Sequence, residues 1–162
     1  MSLPTDQIQP TQDVIDTAFD WMASGKPVAL ATVVSTWGSS PRPPGSHLGI
    51  TAQGEMAGSG SGGCIEGAVV KEALDVLGGA PAKLLDFGVS DEQAWDVGLA
   101  CGGSVKVLVR DMAASAPLYE KARAALTTGT PSALITRLAD GETKLLGDGD
   151  LSGMLADAAK AA

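Results

Sequence analysis

Two cysteines, each beside a pair of glycines, have the most chemistry open to them in this 162-residue chain. The first closes the segment Gly58-Ser-Gly-Ser-Gly-Gly-Cys64, which leads straight into a helical pattern from Ile65. Consecutive glycines let backbone N–H groups come close to a ligand, and a helix N-terminus favours an anion there. Ser59 and Ser61 add hydroxyl donors beside Gly62 and Gly63, so these parts can form a phosphate cradle, or simply a tight turn. The segment is not a Walker loop, because no Gly-Lys-Ser/Thr follows the glycines. Nor does it open a βαβ unit as a dinucleotide fingerprint would. Cys64 stands where a helix dipole stabilises a thiolate, which suits a nucleophile, a sulfur carrier or a soft metal ligand. The same residue can equally be a small buried hydrophobe. Cys101 lies in Gly98-Leu-Ala-Cys-Gly-Gly103, the same device in mirror order, with Gly102 and Gly103 after the thiol. No CxxC spacing supports a structural zinc with either cysteine or with His47.

The other candidates are fewer. Between Val28 and Ile65 the only formal charges are Arg42 and Glu55. Arg42 sits among Pro41, Pro43 and Pro44, a guanidinium on a stiffened loop that suits a phosphate or carboxylate clamp. His47 is the only histidine, which excludes a paired-histidine metal centre and leaves it more readily structural than catalytic. Glu66, at the helix start, suits the positive end of the macrodipole. Trp95 and Asp96 fit a cleft lining or a short helix packed on the core. No Ser/His/Asp arrangement is visible.

The elements that must position these residues follow from periodicity and turn chemistry. Ile15, Ala18, Phe19 and Met22 give an amphipathic helix over Asp13–Ser24, with Thr11 as N-cap and Gly25 just past its end. Pro27–Thr36 is an almost unbroken apolar, β-branched run, the pattern of a strand central in a sheet. Trp37–Gly45 is irregular, since its prolines and glycines break every ladder. His47–Ala52 and Glu55–Ser59 form a hairpin, and a helix spans Ile65–Leu77 until Gly78-Gly79. Lys83–Phe87 is a strand, Ser90-Asp-Glu-Gln93 a capping box opening a short helix, and Ser104–Arg110 a strand. Pro117 starts a helix that Gly129 stops, and Ser132–Leu138 pairs with Thr143–Leu146 through Asp140-Gly141. The expected fold is a single α/β domain over residues 1–150 with a mixed β-sheet and packed helices. Its two glycine-cysteine loops meet at one cleft, there is no Rossmann domain, and residues 151–162 form a weakly helical tail.

Composition narrows the function. A net charge of −8, from 11 basic and 19 acidic residues without a Lys/Arg cluster, excludes the phosphate neutralisation that nucleic-acid binding needs. The apolar runs are too short for a membrane span, and the first residues lack a signal peptide's basic start and apolar core. Free thiols and the absence of that signal point to the cytoplasm.

Taken together, Ala29-Leu-Ala-Thr-Val-Val, Gly38-Ser-Ser-Pro-Arg-Pro-Pro-Gly45, Gly58–Gly67 and Gly88–Gly103 resemble the xanthine dehydrogenase accessory factor family of XdhC/CoxI type, in its N-terminal domain. The resemblance implies a chaperone that binds the molybdenum cofactor transiently and has no turnover of its own. Such a chaperone presents its cargo to a cysteine desulfurase and inserts it into a molybdenum hydroxylase of the xanthine dehydrogenase or carbon monoxide dehydrogenase type. It also implies a homodimer. Longer family members continue into a Rossmann-like domain, so the other half is expected as a separate chain or not at all. Carried onto this sequence, the cofactor-binding positions are Ser39, Arg42, Ser59, Ser61, Gly62, Gly63, Cys64, Glu66, Cys101, Gly102 and Gly103. Cys64 and Cys101 would face molybdenum or its exchangeable sulfur. Two other functions stand beside this one, a thiol-dependent enzyme or sulfur carrier using Cys64, and a docking adaptor that binds no cofactor.

Overall fold

The strand at Val28–Trp37 (β1) is central, as its apolar, β-branched composition requires, and it is buried along its first half. The computed structural model describes residues 11–38, 42–60, 63, 65–88 and 103–153, with the side chains described from Val14 onward. The Ser90–Gln93 capping box and Trp95 lie outside them. Around β1 lie His47–Thr51 (β2), Met56–Gly58 (β3), Lys83–Phe87 (β4) and Ser104–Asp111 (β5), in the order β3-β2-β1-β5-β4. Every pairing in this sheet is antiparallel, which corrects the mixed sheet expected from sequence. The reason is connectivity. β2 returns beside β1 through the 38–46 connection, β3 returns beside β2 by a short turn, and β4 enters beside β5 rather than beside β1, so no parallel crossover is completed.

A helix covers each face. Glu66–Leu77 (α2) lays Val69, Ala73 and Val76 on Ala29, Ala31 and Val33 of β1, with Val105, Val107 and Val109 of β5 in the same cluster. Thr11–Ala23 (α1) buries Val14, Ile15 and Ala18 over the opposite face. There Gly49 leaves room for the Trp21 ring, which a Cβ would approach to 3.4 Å. Gly25, Gly79 and Gly129 follow the three main helices as expected. In each case the amide after the glycine returns to the carbonyl five residues before it, as in Lys26 N to Trp21 O at 3.0 Å.

The chain divides into two compact units, residues 1–113 and 114–162. The sheet, α1 and α2 make the first. The second contains the helix Ala116–Thr128 (α3) and the hairpin of Ala133–Thr136 (β6) with Thr143–Leu146 (β7), on which α3 packs. Asp140-Gly141 closes that hairpin, and Arg137 there is ion-paired to Asp140 at 2.6 Å and to Glu142. Residues 148–153 are helical.

Candidate functional site

Antiparallel order puts three long connections at one end of the sheet. β1 stops at Trp37, β3 at Gly58 and β4 at Phe87, while β2 starts at His47 and β5 at Ser104. Connections 38–46, 59–65 and 88–103 therefore leave and enter at that end, together with the start of α2. The opposite end carries the short turns at 24–27, 52–55 and 78–82. The strands flanking both glycine-cysteine segments thus end on the same side of the sheet. Ser39, Ser61, Gly62, Cys64, Cys101 and Gly102 lie outside the described residues. Arg42, Ser59, Gly63, Glu66 and Gly103 lie within them.

The loop entering α2 is organised by Glu66. Its Oε1 accepts from the Ser59 hydroxyl at 2.8 Å, and its Oε2 accepts from the amides of Gly63 at 3.0 Å and Ile65 at 3.2 Å. No side chain caps the helix at Ile65. Glu66, the first helical residue, instead folds back onto the amides preceding it. These amides are the donors a ligand anion would use, so the cradle at this point already holds a carboxylate supplied by the chain. Gly63 and Ile65 flank Cys64 in sequence, so the amides on both sides of that thiol serve the carboxylate. These two amides are therefore engaged by Glu66.

Upstream of this loop, Arg42 is half-buried and precedes a turn tied to β1. Ser46 N donates to Pro43 O at 3.2 Å across Pro44-Gly45. A turn with proline first and a glycine at φ +91° second is type II, a conformation only glycine adopts without strain. Gly45 N donates to Val33 O at 2.8 Å and Val33 N to Ser46 O at 2.9 Å, which locks the turn to the central strand. The stiffness expected of the Arg42 loop is present from Pro43 onward. Gly103, at the other end of the site, is buried immediately before β5.

Of three further side chains, His47 and Trp37 stand toward this end of the sheet, whereas Arg110, near the end of β5, stands toward the other. His47 and Arg110 lie on the face that α1 covers, His47 opposite Thr32 and Arg110 opposite Leu30. Thr32 Oγ1 and His47 Nδ1 share a hydrogen bond at 3.0 Å. Burial, assisted by the charge of Arg110, lowers the imidazole pKa to about 4, so His47 is neutral near pH 7. This agrees with a structural histidine. Arg110 is only 4% exposed, and its one sequence signal is a cation ending the apolar run of β5. Trp37 is the reverse case, an indole 71% exposed at the end of the central strand. Nothing in the sequence assigns it a role. Among the described residues there is no group of three His, Cys, Asp or Glu side chains that could hold a metal ion. No described helix is long and apolar enough to cross a membrane.

Residues 21–88 match the model of the XdhC and CoxI family, a span running from α1 through β4 and including the Arg42 and Glu66 loops. A stretch of 102 residues is 31% identical to the molybdenum cofactor insertion chaperone PaoD of Escherichia coli (strain K12). It covers 62% of this chain and 31% of that protein. A second relative in the same organism, the uncharacterized protein YqeB, is 32% identical over 83 residues, 51% of this chain and 15% of its own length. The chain therefore spans a third or less of the curated relatives it matches. Among solved structures, one titled a xanthine dehydrogenase, from Bacillus halodurans, superposes with a TM-score of 0.65 at 21% identity. It covers 83% of this chain and 42% of that one, and at this identity it establishes the shared fold.

Proposed function

We propose, on the premise that residues 21–88 belong to the XdhC and CoxI family, that the chain binds the molybdenum cofactor as cargo and assists its insertion into a molybdenum hydroxylase of the xanthine dehydrogenase type. The observation carrying this is that the family segment includes both the Arg42 turn and the Ser59–Glu66 loop, which open at one end of one sheet. A role in molybdoenzyme maturation has support from the relative named as an insertion chaperone. The cargo is a pterin dithiolene with a terminal phosphate, so the site must offer a cation, hydrogen-bond donors and a soft ligand.

Arg42 is the cation in this reading, and Ser39, Ser61, Gly62 and the Gly102–Gly103 pair are its proposed donors. Ser59 and Gly63 act less directly, because their donors already serve Glu66, which positions the loop instead of binding cargo. Cys64 and Cys101 are the soft ligands for molybdenum or its exchangeable sulfur. The carboxylate on the amides flanking Cys64 disfavours a dipole-activated thiolate, which weighs against a thiol enzyme. A cysteine desulfurase, a cytoplasmic setting and a homodimer complete the proposal. The test mixes purified protein with molybdenum cofactor and follows co-elution for the unmutated chain, Cys64→Ala, Cys101→Ala and Arg42→Ala. Retention by the unmutated chain and its loss in Arg42→Ala is the expected result. If the unmutated chain retains no cofactor, the proposed function fails.

A further inference from the structure

We propose that Trp37, Ser104 and Gly88 form a stacking shelf for a planar fused heteroaromatic ring, and that the pterin of the cargo lies there. The inference rests on the function proposed above and adds a site on residues that the expected binding positions omit.

The shelf follows from the register. Pairing between β1 and β2 ends at Thr32 opposite His47, while pairing between β1 and β5 continues to Trp37 opposite Ser104. β1 and β5 therefore run on for about 15 Å past the start of β2, at a rise of ~3.3 Å per residue. On the way the register shifts between Val33 and Ser35. Beyond the shift Thr36 sits opposite core residue Val105, and Trp37 shares the other face with Ser104. β4 pairs up to Phe87 opposite Val105, so Gly88 comes next to Ser104. A Cβ built on Gly88 would lie 3.9 Å from the Ser104 Cβ, which puts that empty position on the same face.

The last row of this face thus reads Gly88, Ser104, Trp37. An exposed indole stands beside a floor that carries a hydroxymethyl group and then nothing. A ring stacked on the indole would rest its edge on that floor, with the serine hydroxyl within reach of a ring nitrogen. One row inward on the same face are Ser35, Lys106 and Asp86, the last two ion-paired at 3.1 Å and both about half exposed. Lys106 gives the row a cation suited to an anionic substituent on the ring. Ser104 and Gly88 also bracket the 89–103 connection that contains Cys101, so a ring on the shelf would be next to that connection.

The test titrates 6-hydroxymethylpterin with the full chain and reads the anisotropy of pterin fluorescence. Trp37→Ala is expected to weaken binding about tenfold, the scale of one aromatic stack. Trp37→Phe should remain within about threefold of the unmutated chain, because a smaller aromatic face is retained. Gly88→Val, which fills the floor, should weaken binding as Trp37→Ala does. Trp37→Ala should keep its urea midpoint, since the indole is exposed. Equal affinity in Trp37→Ala, or no pterin binding by the unmutated chain, overturns the shelf. The two proposals separate cleanly. If Trp37→Ala retains whole cofactor as well as the unmutated chain does, the function stands and the shelf falls. If the unmutated chain retains no cofactor, the function falls, and the pterin titration still decides the shelf.

Discussion

Gly54 and Gly58 have nearly the same backbone conformation, φ +82° and +86°, in very different surroundings. A Cβ at Gly54 meets nothing within 4 Å, whereas one at Gly58 falls 2.3 Å from His47 O and 2.7 Å from a Val14 methyl. Forcing alanine into the left-handed region costs about 1–2 kcal/mol at either site. Gly58→Ala adds an overlap with a backbone oxygen of β2, a strand held between β1 and β3 that cannot swing aside. Overpacking of this kind costs about 1–3 kcal/mol. Gly54→Ala should therefore lose about 1–2 kcal/mol and Gly58→Ala about 2–5 kcal/mol. Urea unfolding read by tryptophan fluorescence measures the difference, and Trp21, Trp37 and Trp95 all lie within residues 1–113. With a slope of about 2 kcal/mol/M, a gap of ~2 kcal/mol separates the midpoints by about 1 M. Midpoints for the two variants that agree within about 0.2 M would refute the packing argument at Gly58.

Glu66→Gln keeps one carbonyl acceptor but loses the charge that holds Ser59, Gly63 and Ile65. It should cost about 1–2 kcal/mol, seen as a fall of roughly 2–8 °C in the thermal midpoint, and an unchanged midpoint would rule out this role. His47 has a pKa of about 4 when folded, against 6.5 for the free side chain. Between those values the unfolded chain takes up a proton that the folded chain refuses, so stability falls as pH drops from about 6.5 to 4. The group's share is on the order of 3 kcal/mol. His47→Asn should flatten the fall by that amount in urea titrations at pH 7 and 4.5, and parallel profiles for the two proteins would contradict the burial argument.

Local signals in the sequence carried most of the fold. The β-branched run of β1, the hairpins ended by Gln53-Gly54 and Asp140-Gly141, and the helix stops at Gly25, Gly79 and Gly129 are each fixed by residues a few positions apart. The sheet's sense was not legible, because it depends on β5 meeting both β1 and β4 across some 20 to 75 residues of chain. The contacts of Glu66 and the exposure of Trp37 were hidden for a related reason. A carboxylate at a helix start reads as a dipole partner, and only the folded loop turns Ser59 and two preceding amides toward it. Trp37 reads as the first residue of the irregular proline and glycine segment, whereas it is the last residue of β1. The register shift between Val33 and Ser35, together with the early end of β2, leaves Trp37 in solvent. Arg42 was legible as a stiffened cation because prolines flag their own constraint. A packing glycine such as Gly58 gives no such flag, since nothing in the sequence says what a methyl group there would strike.

The strand axis of this sheet also sorts variants by the assay they disturb. Substitutions at the end with turns 24–27, 52–55 and 78–82 act on folding alone and should be read in an unfolding titration. Those at the opposite end, such as Arg42→Ala and Trp37→Ala, change exposed or half-buried groups on loops and strand tips and should be read in ligand retention at nearly constant stability. Gly58 and Glu66, where strand passes into loop, are the positions at which the two readouts mix. A mutational survey plotted along that axis, instead of along the sequence, would show two bands with a narrow overlap. Reporter groups and tags belong at Ala52 and Gln53, whose exposed turn lies at the far end from the 38–46, 59–65 and 88–103 connections.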